Sequence, residues 1–166
     1  MSSAVARNNI REAVKSGLLS ITTGGGYRNN IYGVFDPPRD VSQITDFPSV
    51  NVLWGEEERT TYNEYGGQIA GNRPLMNLKW SCDLDVFIVN ENDPQSIGDS
   101  IVADIGEYFG KNFYVPDSGG DRTAFIAIYR GSSPVMGTEL QRPNAWMTVL
   151  LDVWYRVPWD NYSVLA

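Results

Sequence analysis

The stretch from Met76 to Val89, MNLKWSCDLDVFIV, holds the clearest structural signal in the sequence. Apolar side chains recur at every second position, at Met76, Leu78, Trp80, Cys82, Leu84, Val86 and Ile88. The positions between them are mostly polar, with Asn77, Lys79, Ser81, Asp83 and Asp85. Successive side chains of a strand point to opposite faces, so this period of two predicts a β-strand with one face in the core. The other face is expected to meet solvent or a partner.

A second alternating stretch, from Trp146 to Val157, predicts the last strand of the sheet. Its more apolar face carries Met147, Val149, Leu151, Val153, Tyr155 and Val157. The opposite face carries Trp146, Leu150 and Trp154 among polar residues. Tryptophan is enriched where proteins contact one another, so these three residues are candidate interface residues. The alternative is a platform on which sugar rings stack.

Two segments have the 3.6-residue period of amphipathic helices. The first spans residues 2–19, with an apolar side formed by Ile10, Val14 and Leu18. The second begins at Asp93-Pro94, where an N-cap acceptor precedes a proline at the first helical position, and Gly110 closes it. Its apolar stripe consists of Ile97, Ile101, Val102, Ile105 and Phe109.

Three further segments, residues 27–35, 47–54 and 124–130, predict shorter strands. The predicted order of elements is α-β-β-β-α-β-β in a single domain, residues 1–166, a length that suits one hydrophobic core. The most economical packing places both helices on one face of the sheet. We therefore expect an α+β fold with a mainly antiparallel sheet of four to five strands flanked by two helices.

Two polar, glycine-rich segments, residues 55–74 and 131–144, separate the predicted strands. Twenty residues without secondary structure are unusual inside a compact domain, so the first segment is interpreted as a long β-hairpin excursion or a mobile arm. It carries Tyr62 and Tyr65, which are further candidate interface residues. Both segments bury little surface within their own domain, and we expect them to contact other subunits.

The sequence contains no histidine and one cysteine, Cys82. The absence of histidine rules out the Ser-His-Asp and Cys-His catalytic arrangements and removes the commonest zinc ligand. One cysteine can form neither a zinc site by itself nor an intramolecular disulfide. We therefore expect no catalytic residues, no cofactor and no metal. Asp83 and Asp85 share one strand face and leave a carboxylate-dependent hydrolase as an alternative.

The formal net charge of the chain is −7, which disfavours binding to nucleic acid and to anionic membranes because like charges repel. The acidic residues are dispersed, apart from the run Glu56, Glu57 and Glu58. No apolar run approaches the length of a transmembrane helix, and the first residues lack the apolar region of a signal peptide. Synthesis in the cytoplasm and no membrane contact are expected.

In layout, the sequence resembles the tail terminator (tail completion, minor tail) proteins of tailed bacteriophages. The resemblance is carried first by the opening helix IREAVKSGLL, residues 10–19, and by the segment TDFPSVNVLWGEEE, residues 45–58. The strand at 78–89, the helix at 95–111 and a final strand near the C-terminus complete it. The likeness covers most of the chain and concerns the arrangement of elements rather than one motif.

The resemblance implies a ring, commonly a hexamer, that caps the tail tube, stops its polymerisation and joins the tail to the head. The implied partners are the tail-tube protein and a head–tail connector or adaptor, with the sheath as a further candidate. The protein would be assembled in the host cytoplasm and reside in the virion neck. DNA would pass through the lumen without specific binding, and we expect Glu56, Glu57 and Glu58 to face that channel. The unusual length of residues 55–74 leaves another neck-ring protein as the alternative to a terminator.

Overall fold

The structure, a computed structural model, describes residues 4–60, 75–90, 92–117, 119–140 and 142–158. Two α-helices lie in this part of the chain, α1 (Ala4–Leu19) and α2 (Pro94–Lys111). The strands found there are β1 (Gly33–Phe35), β2 (Ser49–Thr60), β3 (Leu75–Ile88), β4 (Tyr114–Pro116), β5 (Arg122–Ser132), β6 (Met136–Gly137) and β7 (Ala145–Pro158). Asp93 caps α2, since its Oδ1 accepts a hydrogen bond of 3.0 Å from the Ser96 amide.

The seven strands form one mixed sheet in the order β1-β2-β3-β7-β5-β4, and β6 pairs with β7. β1 runs parallel to β2, and the other neighbouring strands are antiparallel. The centre of the sheet is the β3–β7 pair, which keeps one register from Leu75 opposite Pro158 to Ile88 opposite Ala145. The two strands with the strongest alternation in the sequence are therefore the two central strands.

The prediction of a mainly antiparallel sheet of four to five strands is wrong. β4 and β6 have three and two residues, which is too few for a periodic signal to appear in the sequence. β1 is parallel to β2 because the connection between them, residues 36–48, brings the chain back to the same end of the sheet. Asn51 holds this connection, accepting from the Arg39 amide (3.1 Å) and donating to its carbonyl (2.8 Å). Side-chain hydrogen bonds of this kind leave no periodic trace in the sequence.

Both helices pack on the same face of the sheet, which we call the inner face. α1 lies against both edge strands, β1 and β4, and the sheet curls around it. The helices approach closely where Gly17 of α1 meets Tyr108 of α2, since a β-carbon at Gly17 would come 2.5 Å from the tyrosine hydroxyl. The buried side chains form one hydrophobic cluster that includes Val14, Leu18, Leu84, Ile101, Ile105, Val149 and Leu151.

A β-bulge interrupts β2 where it pairs with β3. Trp54 lies opposite Cys82 and Glu57 lies opposite Trp80, so β2 has one residue more than β3 between these pairs. Gly55 occupies the bulge, where an added β-carbon would clash with a β3 side chain. The predicted strand ended at Trp54 because residues 55–60 are a glycine and five polar residues, whereas β2 continues to Thr60.

A second bulge interrupts β5 on the other side of the central pair. Tyr129 lies opposite Leu151 and Gly131 lies opposite Leu150, so Arg130 is the extra residue. Gly131 has a φ angle of 148°, a backbone conformation that side-chain-bearing residues rarely adopt. The two bulges therefore flank the central strands β3 and β7.

The first polar segment of the sequence is only partly described. Residues 55–60 continue β2 and pair antiparallel with β3, as the base of a β-hairpin does. Residues 61–74, with Tyr62 and Tyr65, lie outside the described residues. The second polar segment contains β6, which pairs with the start of β7 through Met136 opposite Trp146.

Candidate functional site

The sheet face that points away from both helices, which we call the outer face, is built chiefly by β3 and β7. Residues directly opposite one another on antiparallel strands share a face. The register places several such pairs along the outer face, among them Lys79 with Trp154, Asp83 with Leu150, Asp85 with Thr148 and Phe87 with Trp146. β2 contributes Leu53, opposite Asp83, with 37% of its surface exposed.

The three candidate interface residues of β7 lie in one line on the outer face, and each is partly exposed. Trp146 is at one end, opposite Phe87 on one side and Met136 on the other. Trp154 is at the other end, where the Lys79 ammonium lies 5.7 Å from the centre of its ring. Eight residues of strand separate the two tryptophans by about 26 Å, too far for both to stack on one sugar ring.

A network of ion pairs crosses the outer face around Asp152. Its Oδ1 accepts a 3.1 Å hydrogen bond from Arg130, and its Oδ2 lies 3.5 Å from the Lys79 ammonium. Lys79 also lies 3.3 Å from a carboxylate oxygen of Glu58. Four neighbouring strands, β2, β3, β7 and β5, thus each contribute one charged side chain to a continuous network of ion pairs. Partly exposed pairs of this kind add little stability one by one, but they fix side-chain positions.

A shallow depression of about 200 Å³ lies over this network. Its lining residues are Glu56, Glu58, Lys79, Ser81, Arg130 and Asp152. The two bulges account for the composition of this lining, since Glu56 follows Gly55 in one bulge and Arg130 is the extra residue of the other. Bulges that redirect side chains are common next to functional sites.

Asp83 and Asp85 form an acidic pair beside the depression, outside its lining. Partial burial raises the pKa of Asp83, and the neighbouring charge of Asp85 raises it further. Asp85 accepts a 2.7 Å hydrogen bond from the hydroxyl of Thr148. The two side chains project from the same face of one strand, about 7 Å apart, which is within the range of carboxylate separations in glycosidases. A carboxylate-dependent hydrolase therefore stays an alternative prediction.

The predicted acidic run divides between the two faces of the sheet. Glu56 and Glu58 are exposed on the outer face. Glu57 lies on the inner face, where 14% of its side chain is exposed and Arg7 of α1 bonds to it. A strand sends consecutive side chains to opposite faces, so three consecutive residues of β2 cannot share one surface. A channel-facing role therefore remains a prediction for Glu56 and Glu58 only.

The inner face contains a polar network that the sequence did not reveal. Arg7 donates to both oxygens of Glu57, at 2.6 and 3.1 Å, and the Tyr155 hydroxyl donates to the same carboxylate. Burial raises the pKa of Tyr155, and the hydrogen bond to Glu57 adds to the increase. The Arg7 guanidinium also lies 5.2 Å from the centre of the Trp80 ring. The centres of the Trp80 and Trp54 rings are 4.1 Å apart.

A second unpredicted anchor joins α2 to the loop that follows α1. Asp104 is fully buried and accepts hydrogen bonds from the backbone amides of Arg28 and Asn29 and from both of their side chains. The signal was present in the sequence, because Asp104 lies beside Ile101 and Ile105 in the apolar stripe of α2. A carboxylate in such a stripe indicates a buried partner. The anchor is structural and lies away from the outer face.

In the part of the chain that the structure describes, no three histidine, cysteine, aspartate or glutamate side chains are grouped so as to hold a metal ion. Cys82 is a buried free thiol whose pKa is raised by that burial. Across these same residues, neither helix has the length and apolar character required to span a membrane.

No protein-family model matches the sequence, and a search of curated proteins gives no significant match. A functional assignment therefore depends on the geometry of the outer face and on the layout of the sequence.

Proposed function

We propose that this protein is a structural component of a phage neck, a homo-oligomeric ring that ends the tail tube and joins it to the head connector. The observation that supports the proposal is the line of Trp146, Leu150 and Trp154 on the outer face. The order of elements in the chain resembles that of tail terminator proteins. This resemblance is the basis for proposing a ring and a hexamer.

The outer face has the make-up of a surface that assembly covers. Leu53 and Met136 are 37% and 42% exposed, and they extend the apolar line to β2 and β6. Aromatic and aliphatic anchors with charged residues between them are typical of protein interfaces. In a closed ring, each such surface meets a neighbour and no apolar surface remains open to solvent.

The charge of the chain suits a ring through which DNA passes. With a net charge of −7, the protein repels phosphate and forms no lasting contacts with it. Glu56 and Glu58 are the exposed acidic side chains that we assign to the channel. Glu57 is excluded from this role because it lies on the inner face, where only 14% of its side chain is exposed.

The proposed partners are the tail-tube protein on one side of the ring and a connector or adaptor on the other, with the sheath as a further candidate. The proposed location is the neck of the virion. The role is structural and needs no catalysis. The alternative within this proposal is a neck-ring protein other than the terminator. It would lie at the same head–tail junction and form its contacts through the same surfaces.

Deletion of the gene from its phage tests the proposal. Loss of the protein should give separate heads and tails, with tails of irregular length or without heads, in negative-stain micrographs. A plasmid copy of the wild-type gene should restore infectious particles. Normal virions from the deletion would refute a neck role.

A point variant makes the same test specific to the outer face. Leu150→Asp places a charge in the apolar line and should fail to restore particles although the chain still folds. Glu12→Gln, on the exposed side of α1, is the matched control and should restore them. Equal rescue by both variants would show that the outer face is not used in assembly.

A further inference from the structure

We draw no further inference here: the strongest candidate, the row of partly exposed cations along α1 formed by Arg7, Arg11 and Lys15, carries nothing, because the first two are already ion-paired with Glu57 and Asp36 and nothing in the structure shows what covers the row.

Discussion

The Oε1 atom of Glu57 lies 2.6 Å from Nη2 of Arg7, and this ion pair joins β2 to α1 across the inner face. The second oxygen of the same carboxylate accepts from Tyr155 on β7. One side chain at the β2 bulge therefore connects a helix to two strands of the sheet. The neighbouring Glu58 points to the opposite face and is mostly exposed. Glu57 and Glu58 therefore allow a direct comparison of a largely buried and an exposed carboxylate on one strand.

Glu57→Gln should destabilise the protein by about 1–2 kcal/mol, because it removes the charge from hydrogen bonds to Arg7 and Tyr155. Glu58→Gln should change the free energy of unfolding by less than about 0.5 kcal/mol, since its ion pair is exposed. Urea unfolding followed by tryptophan fluorescence measures both. Equal midpoints for the two variants would contradict a structural role for Glu57.

The raised pKa of Tyr155 predicts a loss of stability in alkaline solution. The ordinary tyrosine value is 10.0, so above that pH the unfolded chain releases a proton that the folded chain retains. Stability from this group is complete below pH 10 and falls as the pH rises further, by up to about 1.4 kcal/mol per pH unit. Tyr155→Phe should flatten the curve above pH 10. Glu57→Gln should give an intermediate slope, and a curve for Tyr155→Phe that matches the wild type would refute the assignment.

Asp83 also loses stability as the pH rises, but it does so in the acidic range, so the loss is already complete at neutral pH. Its folded pKa is raised above 3.8, so the folded state holds the proton more tightly than the unfolded state. Stability from this group is present below the unfolded value and is lost as the pH rises through the folded one. Asp83→Asn should therefore stabilise the protein by about 0.5 kcal/mol at pH 7, a small gain because the group is exposed. Chemical denaturation at pH 7 and below pH 4 checks this, since the gain should vanish at the lower pH.

Two glycines of α2 should respond oppositely to alanine. At Gly98 an added β-carbon would clash with Val135, so Gly98→Ala should cost about 1–3 kcal/mol through overpacking. At Gly106 the nearest atom is 4.0 Å away, in the ring of Tyr129, which is ordinary contact. Gly106→Ala should stabilise the helix by up to about 1 kcal/mol. Thermal unfolding should move the two melting temperatures in opposite directions, and a gain at Gly98 would contradict the packing described.

The parts of the fold that could be predicted are those set by local periodicity. Alternation along Met76–Val89 placed β3, and the cap at Asp93 placed α2, because each depends on neighbouring residues alone. The end of β2 was missed because residues 55–60, from the bulge onward, are glycine or polar and carry no alternation. The strand at 27–35 was predicted, but the parallel pairing of β1 with β2 was missed, because it depends on contacts such as Asn51 to Arg39, which close only in the folded chain.

The same distinction applies to the site. Trp146, Leu150 and Trp154 share a face, as alternation predicted. The network from Glu58 through Lys79 to Asp152 needs the register of three strands, and a single sequence does not give that register. The division of the glutamate run followed from strand geometry, but only once residues 55–60 were known to belong to a strand.

The place of β7 between β3 and β5 has a consequence for synthesis. The ribosome makes β3 and β5 before β7. A nascent chain that ends before residue 145 therefore contains β3 and β5 without the strand that pairs with both of them. Each of those strands leaves an edge of unpaired backbone N–H and C=O groups that can pair with another nascent chain. Translation must therefore pass residue 158 before the sheet can close, and until then both edges are open to pairing with another chain.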